Sequence, residues 1–388
     1  RGLQQELDRV QGSLRTVRNE LLEEFAGFTE IDSVSFGERR MADLLKEKLR
    51  ALGFETEEDD AGSHYGGNAG NVYGFLKGSL SGEPVLFSAH MDTVEPGIGK
   101  NAVFQEDGRI TSDGTTVLGA DDAAGLTEIL GGIRRVLSSG KPHRDIEVLF
   151  PIAEEVYTKG TRVFDFSKIR SKEAYVLDLS GPVGSAAVQA PSLISFVLTI
   201  HGKAAHAGFE PEKGIHAVTA AALAIARLPQ GHVEEDTTLN IGLIRGGTAT
   251  NIVPESCIVE GEIRSYSHEK ALSYMEAVRR VFREEAEKSG GSLEDEVSIN
   301  LVAYHTGEEE ASVKNFRRAA KKLGLSGELT ETFGGSDCNT FAEHGIRGIV
   351  LSCGMYQPHS TREYTTVEDL EKGAALVEEL ILGEEGGA

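Results

Sequence analysis

The sequence contains no tryptophan and only three cysteines among its 388 residues. The cysteines are odd in number and form no CxxC pair, so the sequence supports neither a disulfide framework nor a thiolate zinc site. The longest apolar run, residues 217–228, is far shorter than the roughly 20 residues that span a bilayer. The polar first residues show no apolar signal segment. We therefore expect a cytoplasmic protein without a transmembrane helix.

Basic residues are also in the minority, with 39 Lys and Arg against 62 Asp and Glu and a formal net charge of -23. Such a surface repels polyanions, so neither nucleic acid nor an anionic membrane is an expected partner. The hydrophobic share of 39% is ordinary for a globular protein. The length allows two domains, because single cores stop growing near about 250–300 residues.

The first half of the chain alternates between helical and strand-like patterns. Residues 3–52 have the pattern of a helix that Gly53 ends. Four short apolar runs then predict buried strands, at residues 71–76, 85–89, 146–152 and 174–178. Between the second and the third run, residues 123–137 have a helical pattern. This alternation predicts an α/β fold, a mixed and mostly parallel sheet with helices on both faces.

The pattern changes after about residue 190. The next segments read strand, helix, strand, strand, helix, strand, at residues 193–201, 216–228, 238–245, 256–264, 268–288 and 297–304. This order is that of a ferredoxin-like α+β domain, which is complete in itself. We therefore predict that residues 190–304 form a domain inserted between the two parts of the α/β domain, residues 1–189 and 305–388.

Acids and imidazoles follow several of the predicted buried strands. His90 and Asp92 come directly after one strand, and alternation along the chain points both side chains the same way. Imidazole nitrogen suits zinc, and a nearby carboxylate can orient the imidazole. An HxD pair alone is also a common incidental feature.

Two pairs of adjacent acids also lie at the ends of predicted elements. Asp121 and Asp122 lie at a loop-to-helix junction, where capping of the helix is the simpler explanation. Glu154 and Glu155 follow another buried strand, where adjacent carboxylates are costly unless they are paired or bind a metal. One of these glutamates can hold a metal while the other handles a proton, although a solvated loop would show the same pattern.

Asp178 ends a further strand, and His359 follows the last one. The strands of such a sheet present their carboxyl ends at one edge, where α/β proteins bind ligands. Two imidazoles and three carboxylates at that edge form a nitrogen and oxygen donor set for two divalent ions, with an aspartate between them. This convergence predicts a two-metal site from His90, Asp121, Glu155, Asp178 and His359.

Eight short segments follow one another along nearly the whole chain: HMDTVEPG, LGADDAAG, AEEVYTKG, LDLSG, HGKAAHAG, TATNIVPE, FGGSDCN and PHS. This succession resembles the peptidase T and aminoacylase family of co-catalytic di-zinc metallopeptidases. The resemblance implies that the α/β domain is the catalytic domain, and that the inserted domain is a lid through which two copies form a homodimer.

The resemblance also implies a role for each metal-site residue. His90 and Asp178 would bind one metal ion and Glu155 and His359 the other, while Asp121 would bridge the two. Both ions are expected to be zinc, with cobalt or manganese able to replace them.

Five further residues match family positions outside the ligand set. Asp92 would orient His90, and Glu154 would be the general base. In the inserted domain, His206 would reach the partner's active site, and Asn251 and Arg264 would bind substrate.

These features together predict a metal-dependent hydrolase that cleaves amide bonds of small peptides from one end, as an aminopeptidase or tripeptidase. N-acyl amino acid deacylation is the alternative within enzymes, because the same centre cleaves both kinds of amide. A metal- or peptide-binding protein without catalysis is the alternative outside them, and Glu154 argues against it because a pure binder needs no base.

Overall fold

The computed structural model describes residues 2–383. Residue 1 and residues 384–388, which the two predicted parts of the α/β domain include, lie outside the described residues. The α-helices are α1 (Gly2–Glu30), α2 (Arg39–Ala51), α3 (Ala120–Ser139), α4 (Lys159–Arg162), α5 (Ala217–Ala226), α6 (His268–Lys288), α7 (Ala311–Leu323), α8 (Asp337–Glu343) and α9 (Val367–Leu382). The strands are β1 (Glu55–Glu58), β2 (Val72–Leu76), β3 (Val85–Ser88), β4 (Val103–Phe104), β5 (Arg109–Thr111), β6 (Ile146–Phe150), β7 (Glu173–Ser180), β8 (Ser185–Ala190), β9 (Ser192–His201), β10 (Gly231–Glu234), β11 (Thr237–Gly246), β12 (Ser256–Ser265), β13 (Ser292–Leu301), β14 (Tyr304–His305), β15 (Glu328–Glu331), β16 (Arg347–Met355) and β17 (Tyr364–Thr366).

The described chain divides into two compact units. The second unit comprises Gln189–His305 and Thr332–Gly335, and the first comprises the remaining described residues. The short segment Thr332–Gly335 was not part of the predicted insertion of residues 190–304. Its backbone joins the second unit, where Thr332 N–H donates to the carbonyl of Gln189 at 3.0 Å.

The first unit contains a mixed sheet in which strands follow one another in the order β1-β2-β6-β3-β7-β16-β8. Strands β6, β3, β7 and β16 are parallel neighbours, whereas β1, β2 and β8 pair antiparallel with their neighbours. Every residue of β3 and β6 is buried, so both faces at the centre of the sheet are covered. The predicted α/β fold is confirmed, with the parallel pairing concentrated in the centre.

The predicted helix over residues 3–52 is two helices in the structure. Between α1 and α2, Phe36 adopts a φ of 73°, a left-handed conformation that a continuous right-handed helix cannot contain. The connecting loop packs beside the segment that follows β3: Thr93 N–H donates to the carbonyl of Ser33 at 2.8 Å. The loop at this break therefore helps to hold the segment that carries His90 and Asp92.

The second unit is an antiparallel sheet in the order β10-β11-β12-β9-β13, with helices α5 and α6. Leaving out the short added strand β10, this is the strand order of a ferredoxin-like fold, as the sequence predicted. Strand β9 lies inside the sheet and its neighbour β13 lies at the edge. Helices and sheet enclose a separate apolar core that includes Phe196, Met275 and Phe282.

Among the described residues, no helix combines the length and the apolar character that a membrane crossing requires.

Candidate active site

Loops at the carboxyl ends of the central parallel strands bring the predicted acids and imidazoles together in the first unit. His90 follows β3, Glu154 and Glu155 follow β6, and Asp178 lies near the end of β7. Asp121 lies in the first turn of α3. The remaining imidazole, His359, is on the loop after β16, so chain segments far apart in sequence meet at one edge of the sheet, as is usual for ligand sites in α/β proteins.

His90 presents one ring nitrogen to the cluster and the other to its own loop. Nδ1 lies 2.8 Å from the backbone carbonyl of Asp92, which can only accept, so Nδ1 carries the proton in the neutral ring. Nε2 lies 2.9 Å from Oδ1 of Asp121 and 3.6 Å from Oδ1 of Asp178. The lone pair of Nε2 is therefore directed to the place where these carboxylates meet.

Asp121 lies between the two imidazoles. Its Oδ1 faces His90, while its Oδ2 lies 3.0 Å from Nε2 of His359. The same nitrogen of His359 lies 2.9 Å from Oε1 of Glu155. A single buried carboxylate thus offers one oxygen to each half of the cluster.

The donor set fits two divalent ions. Ligand atoms in three overlapping groups lie within 4.8 Å of one another: His90 with Asp121 and Asp178, His90 with Glu154 and Glu155, and Asp121 with Glu155 and His359. Zinc bonds of 2.0–2.1 Å place tetrahedral ligand atoms about 3.3 Å apart, close to the spacings found here. Four carboxylates against two imidazoles also leave an excess of negative charge that cations would balance.

Burial and mutual repulsion shift the pKa values of the metal-free cluster. Burial, together with the charge of Asp178, raises the pKa of Glu154 well above its ordinary value. Burial and the charge of Asp121 raise the pKa of Glu155 to about 8. Hydrogen bonds to Asp121 and Glu155 raise the pKa of His359 to about 10. In the absence of metal ions, protons bound to Glu154, Glu155 and His359 therefore reduce the repulsion between the carboxylates.

The pKa of Asp121 is lowered, whereas the pKa values of its neighbours are raised. Burial alone would raise the pKa of this carboxyl, but hydrogen bonds from His359 and His90 outweigh burial and hold it well below its usual range. Burial likewise disfavours protonation of His90, yet the charges of Asp178 and Glu154 raise its pKa well above the ordinary value. Asp121 is thus the carboxylate that stays ionised in the centre of the cluster.

Asp92 supports both the imidazole and the glutamate loop. Its Oδ1 lies 3.2 Å from Nδ1 of His90 and accepts from the backbone N–H of Glu154 at 2.9 Å. Its Oδ2 accepts from the N–H of Glu155 at 3.1 Å and from the hydroxyl of Ser35 at 2.6 Å. The carboxylate is fully buried, so these contacts fix the position of two loops at once.

Two of the site loops contain residues in a conformation that side chains other than glycine rarely adopt. Ala153, just before Glu154, has a φ of 51°, and His359 has a φ of 63°. Such residues cost of order 1–3 kcal/mol each and persist only where the surroundings enforce them. They turn Glu154, Glu155 and the His359 ring towards Asp121.

Two supporting acids were missed by the sequence analysis. Glu363 is buried and accepts from the backbone N–H of Gly119 at 2.6 Å and from that of Asp121 at 3.0 Å. Glu38 is buried as well and accepts from the N–H of Ala153 at 3.2 Å. Neither follows a buried strand, so no pattern along the chain marked them; only the position of Glu363 four residues after His359 was a hint.

The other three predicted site residues lie in the second unit. His206 is exposed, and its Nδ1 accepts from the N–H groups of Gly208 and Phe209 at 3.1 Å each, which leaves the ring proton on Nε2. Asn251 stands on the adjacent loop, where its carbonyl accepts from Ala207 N–H at 2.9 Å. Arg264 lies on β12, with Nε 2.8 Å from Oε1 of Glu262.

Two family models match consecutive parts of the chain. The model described as peptidase family M28 matches residues 71–191, and the peptidase dimerisation domain matches residues 189–290. The solved structure of aminopeptidase PepT from Bacillus cereus is 38% identical, with a TM-score of 0.89, and the match covers 94% of this chain and 98% of that one. The chain belongs to the peptidase T-like M20 family.

Further members of this family match over the same extent. A tripeptidase from Staphylococcus aureus is 34% identical with a TM-score of 0.91, and the match covers 94% of this chain and 97% of that one. Peptidase T from Listeria monocytogenes is 26% identical over 94% of this chain and 98% of its own length. The family predicted from the short motifs is confirmed.

Proposed function

We propose that this M20 family chain is a metal-dependent exopeptidase that hydrolyses the amide bond at the amino end of small peptides. The single observation that carries the proposal is the position of Asp121, which offers one oxygen to His90 and the other to His359. The B. cereus relative is an aminopeptidase and the S. aureus relative is a tripeptidase, and both support the same class of reaction.

Two divalent ions, in our proposal zinc, would be held by five side chains. His90 and Asp178 would bind one ion, Glu155 and His359 the other, and Asp121 both. When bound, such a pair polarises a carbonyl group and lowers the pKa of water towards neutrality. Imidazole and carboxylate ligands also accept cobalt or manganese, since no thiolate restricts the choice of metal.

Glu154 would act as the general base and later as the acid that protonates the leaving amine. Its Oε2 lies 3.6 Å from Nε2 of His90, so the carboxylate borders the donor set, while Asp92 fixes its backbone. Burial raises the pKa of Glu154, so its ionised form is a stronger base towards water, and the carboxyl formed in this way can return the proton.

The second unit would supply the substrate-binding groups. The Nε2–H of His206 is available as a donor to a developing oxyanion, because the other ring nitrogen is already engaged. Arg264 and Asn251 would hold the carboxylate or backbone of the substrate. The match to a peptidase dimerisation domain supports a homodimer formed through this unit. The three cysteines of the chain are free and buried, which fits a reducing compartment such as the cytoplasm.

A reconstitution experiment tests the proposal. The protein is stripped with a chelator, reloaded with zinc, cobalt or manganese, and offered dipeptides, tripeptides and N-acetyl amino acids, with products identified by mass spectrometry. We expect activity on peptides with a free amino end, lost on chelation, and two equivalents of metal by elemental analysis.

Matched substrates and a variant separate the alternatives. Cleavage of N-acetyl amino acids in preference to free peptides would make the chain a deacylase. A protein that binds metal and peptide but releases no product, in the same way as its Glu154→Gln variant, would be a binding protein. Fewer than one equivalent of metal after reloading would overturn the two-metal site.

A further inference from the structure

The first five turns of α1 are exposed to solvent along their whole length, and near their end Arg18 forms an ion pair with Glu371 of α9. All side chains of residues 2–20 are exposed, whereas Leu21, Phe25 and Phe28 of the same helix are buried. A helix of this length is marginal in water by itself, and Gly12 in its middle weakens it further. A long exposed helix therefore gains most of its stability from an apolar face that packs against something else.

An apolar stripe runs along this exposed half. Leu3, Leu7, Val10, Leu14 and Val17 are between 41% and 81% exposed. They follow one another in alternating steps of four and three residues, and the same step leads on to Leu21. This spacing is the heptad repeat of a coiled coil, with leucine at the a positions and leucine or valine at the d positions.

We infer that α1 is an oligomerisation helix, whose stripe pairs in parallel with α1 of a second copy of this chain. In a parallel pair the flanking positions bring Glu6 beside the partner's Gln11, and Ser13 beside the partner's Arg18. A fully overlapping antiparallel pair would place Glu6 beside the partner's Glu20 twice. Charge thus favours the parallel arrangement, in which no like charges meet.

A groove lies beside the last turns of the exposed half of α1. It has a volume of about 900 Å³ and runs between α1 and the surfaces of α3 and α9. Leu14, Val17 and Leu21 line its apolar side, and Arg134, Arg135 and Glu378 line the opposite side. The stripe therefore remains accessible as far as Val17, and Leu21 is buried where the helix joins the body of the first unit.

A membrane surface would require a different composition. Residues 2–20 carry three arginines and three acids, contain no lysine, and present no aromatic residue on the apolar side. Helices that lie on membranes are usually rich in basic residues and carry Trp or Phe on the apolar face. A second copy, whose identical stripe is complementary to this one, is the occupant that the sequence favours.

This surface is separate from the family's dimerisation region, which matches residues 189–290. A chain with two self-complementary surfaces links copies through both of them, so the assembly contains more copies than either surface alone would give. Leucine at a and valine at d also admit more than two strands. Mass measurement on the intact protein therefore counts the copies directly.

The first test compares molecular masses by analytical ultracentrifugation. Leu7→Glu combined with Leu14→Glu charges the stripe, and the control pair Gln5→Glu with Asn19→Glu places the same charges on the outer face of α1. We expect the wild type and the control to have at least twice the mass of the stripe variant. Equal masses for all three proteins, at the highest concentration that stays in solution, would overturn the inference.

The second test addresses orientation. Leu3→Cys and Gln5→Cys each add one accessible thiol, and a short bismaleimide is applied to both variants and to the wild type, whose three cysteines are buried. A parallel pair brings Leu3 against itself, so only Leu3→Cys should give a covalent dimer. Absence of that product would overturn the parallel arrangement. Sedimentation of the wild type with phosphatidylserine vesicles, lost in the stripe variant, would identify a membrane instead and refute self-association.

Discussion

The carboxylate of Asp92 accepts a hydrogen bond from the backbone N–H of Glu154 at 2.9 Å. The same oxygen lies 3.2 Å from Nδ1 of His90, whose other nitrogen faces the metal donor set. One buried carboxylate thus connects a proposed metal ligand with the backbone of the proposed base. The spacing between base and ligand is set by the protein, before any substrate arrives.

The two adjacent glutamates should respond differently to the same substitution. We expect Glu154→Gln to retain both metal equivalents while the rate falls by a factor of roughly 10²–10⁴, because only the proton transfer is lost. Glu155→Gln should instead release metal, since the amide is a weaker ligand. Elemental analysis and steady-state rates on one peptide distinguish the two. If Glu154→Gln lost metal and Glu155→Gln kept it, the proposed roles would be reversed.

Glu363 should affect metal binding because it positions the backbone at the start of α3. Its two oxygens each accept one N–H at the start of α3, so Glu363→Gln removes one acceptor and releases the loop at Asp121. We expect metal affinity to fall by about 10–100-fold, the usual effect of losing a group that positions a ligand. Competition with a chromophoric chelator measures this affinity. The control is Glu368→Gln, an exposed change nearby, and an equal effect in both variants would argue against positioning.

Much of the fold could be predicted because the sequence patterns that indicate it lie within single helices and strands. The mostly apolar strands β3 and β6 indicate a sheet covered on both faces, and each is followed within a few residues by an acid or imidazole. The order of elements in residues 190–304 likewise predicts the ferredoxin-like unit. The acids and imidazoles of the candidate site were recognisable because strand ends of a parallel sheet meet at one edge.

The missed features depend on contacts between distant segments. Glu363 reaches Asp121 across 242 residues, and its position four residues after His359 is only a weak local hint of that contact. The break between α1 and α2 depends on the left-handed backbone of Phe36, a residue whose type does not favour that conformation. Long-range hydrogen bonds and enforced backbone conformations become visible only when the chain is folded.

Stability should depend on pH through Glu38. Burial, together with the charge of Asp92, raises the pKa of this carboxyl to about 7 from an ordinary 4.5. The folded chain therefore binds more protons than the unfolded chain between these values. The neutral carboxyl contributes stability that is fully present below about pH 4.5 and is lost as pH rises through 7, a loss of up to about 3 kcal/mol.

Glu38→Gln should remove this dependence. The amide keeps an oxygen for the N–H groups of Phe36 and Ala153, and its nitrogen replaces Oε2, which has no hydrogen-bond partner among the described residues. Urea unfolding in the presence of a chelator, at pH 5 and at pH 8, measures the difference in free energy of unfolding between variant and wild type. We expect this difference to shift in favour of the variant at pH 8. A difference that is the same at both pH values would refute the assignment.

His206 provides the test of a site shared between two copies. If the dimer forms through the second unit and His206 serves the partner's active site, two inactive variants can restore one working site between them. We expect His206→Ala and Glu154→Gln each to be inactive alone, and after complete subunit exchange half of the dimers contain one copy of each. One site in such a dimer has both an intact base and an intact histidine, so activity should rise to about a quarter of wild type. Exchange is followed independently by native mass spectrometry of the mixture. If exchange is complete and activity stays at the level of the separate variants, His206 acts on its own subunit's site or on none.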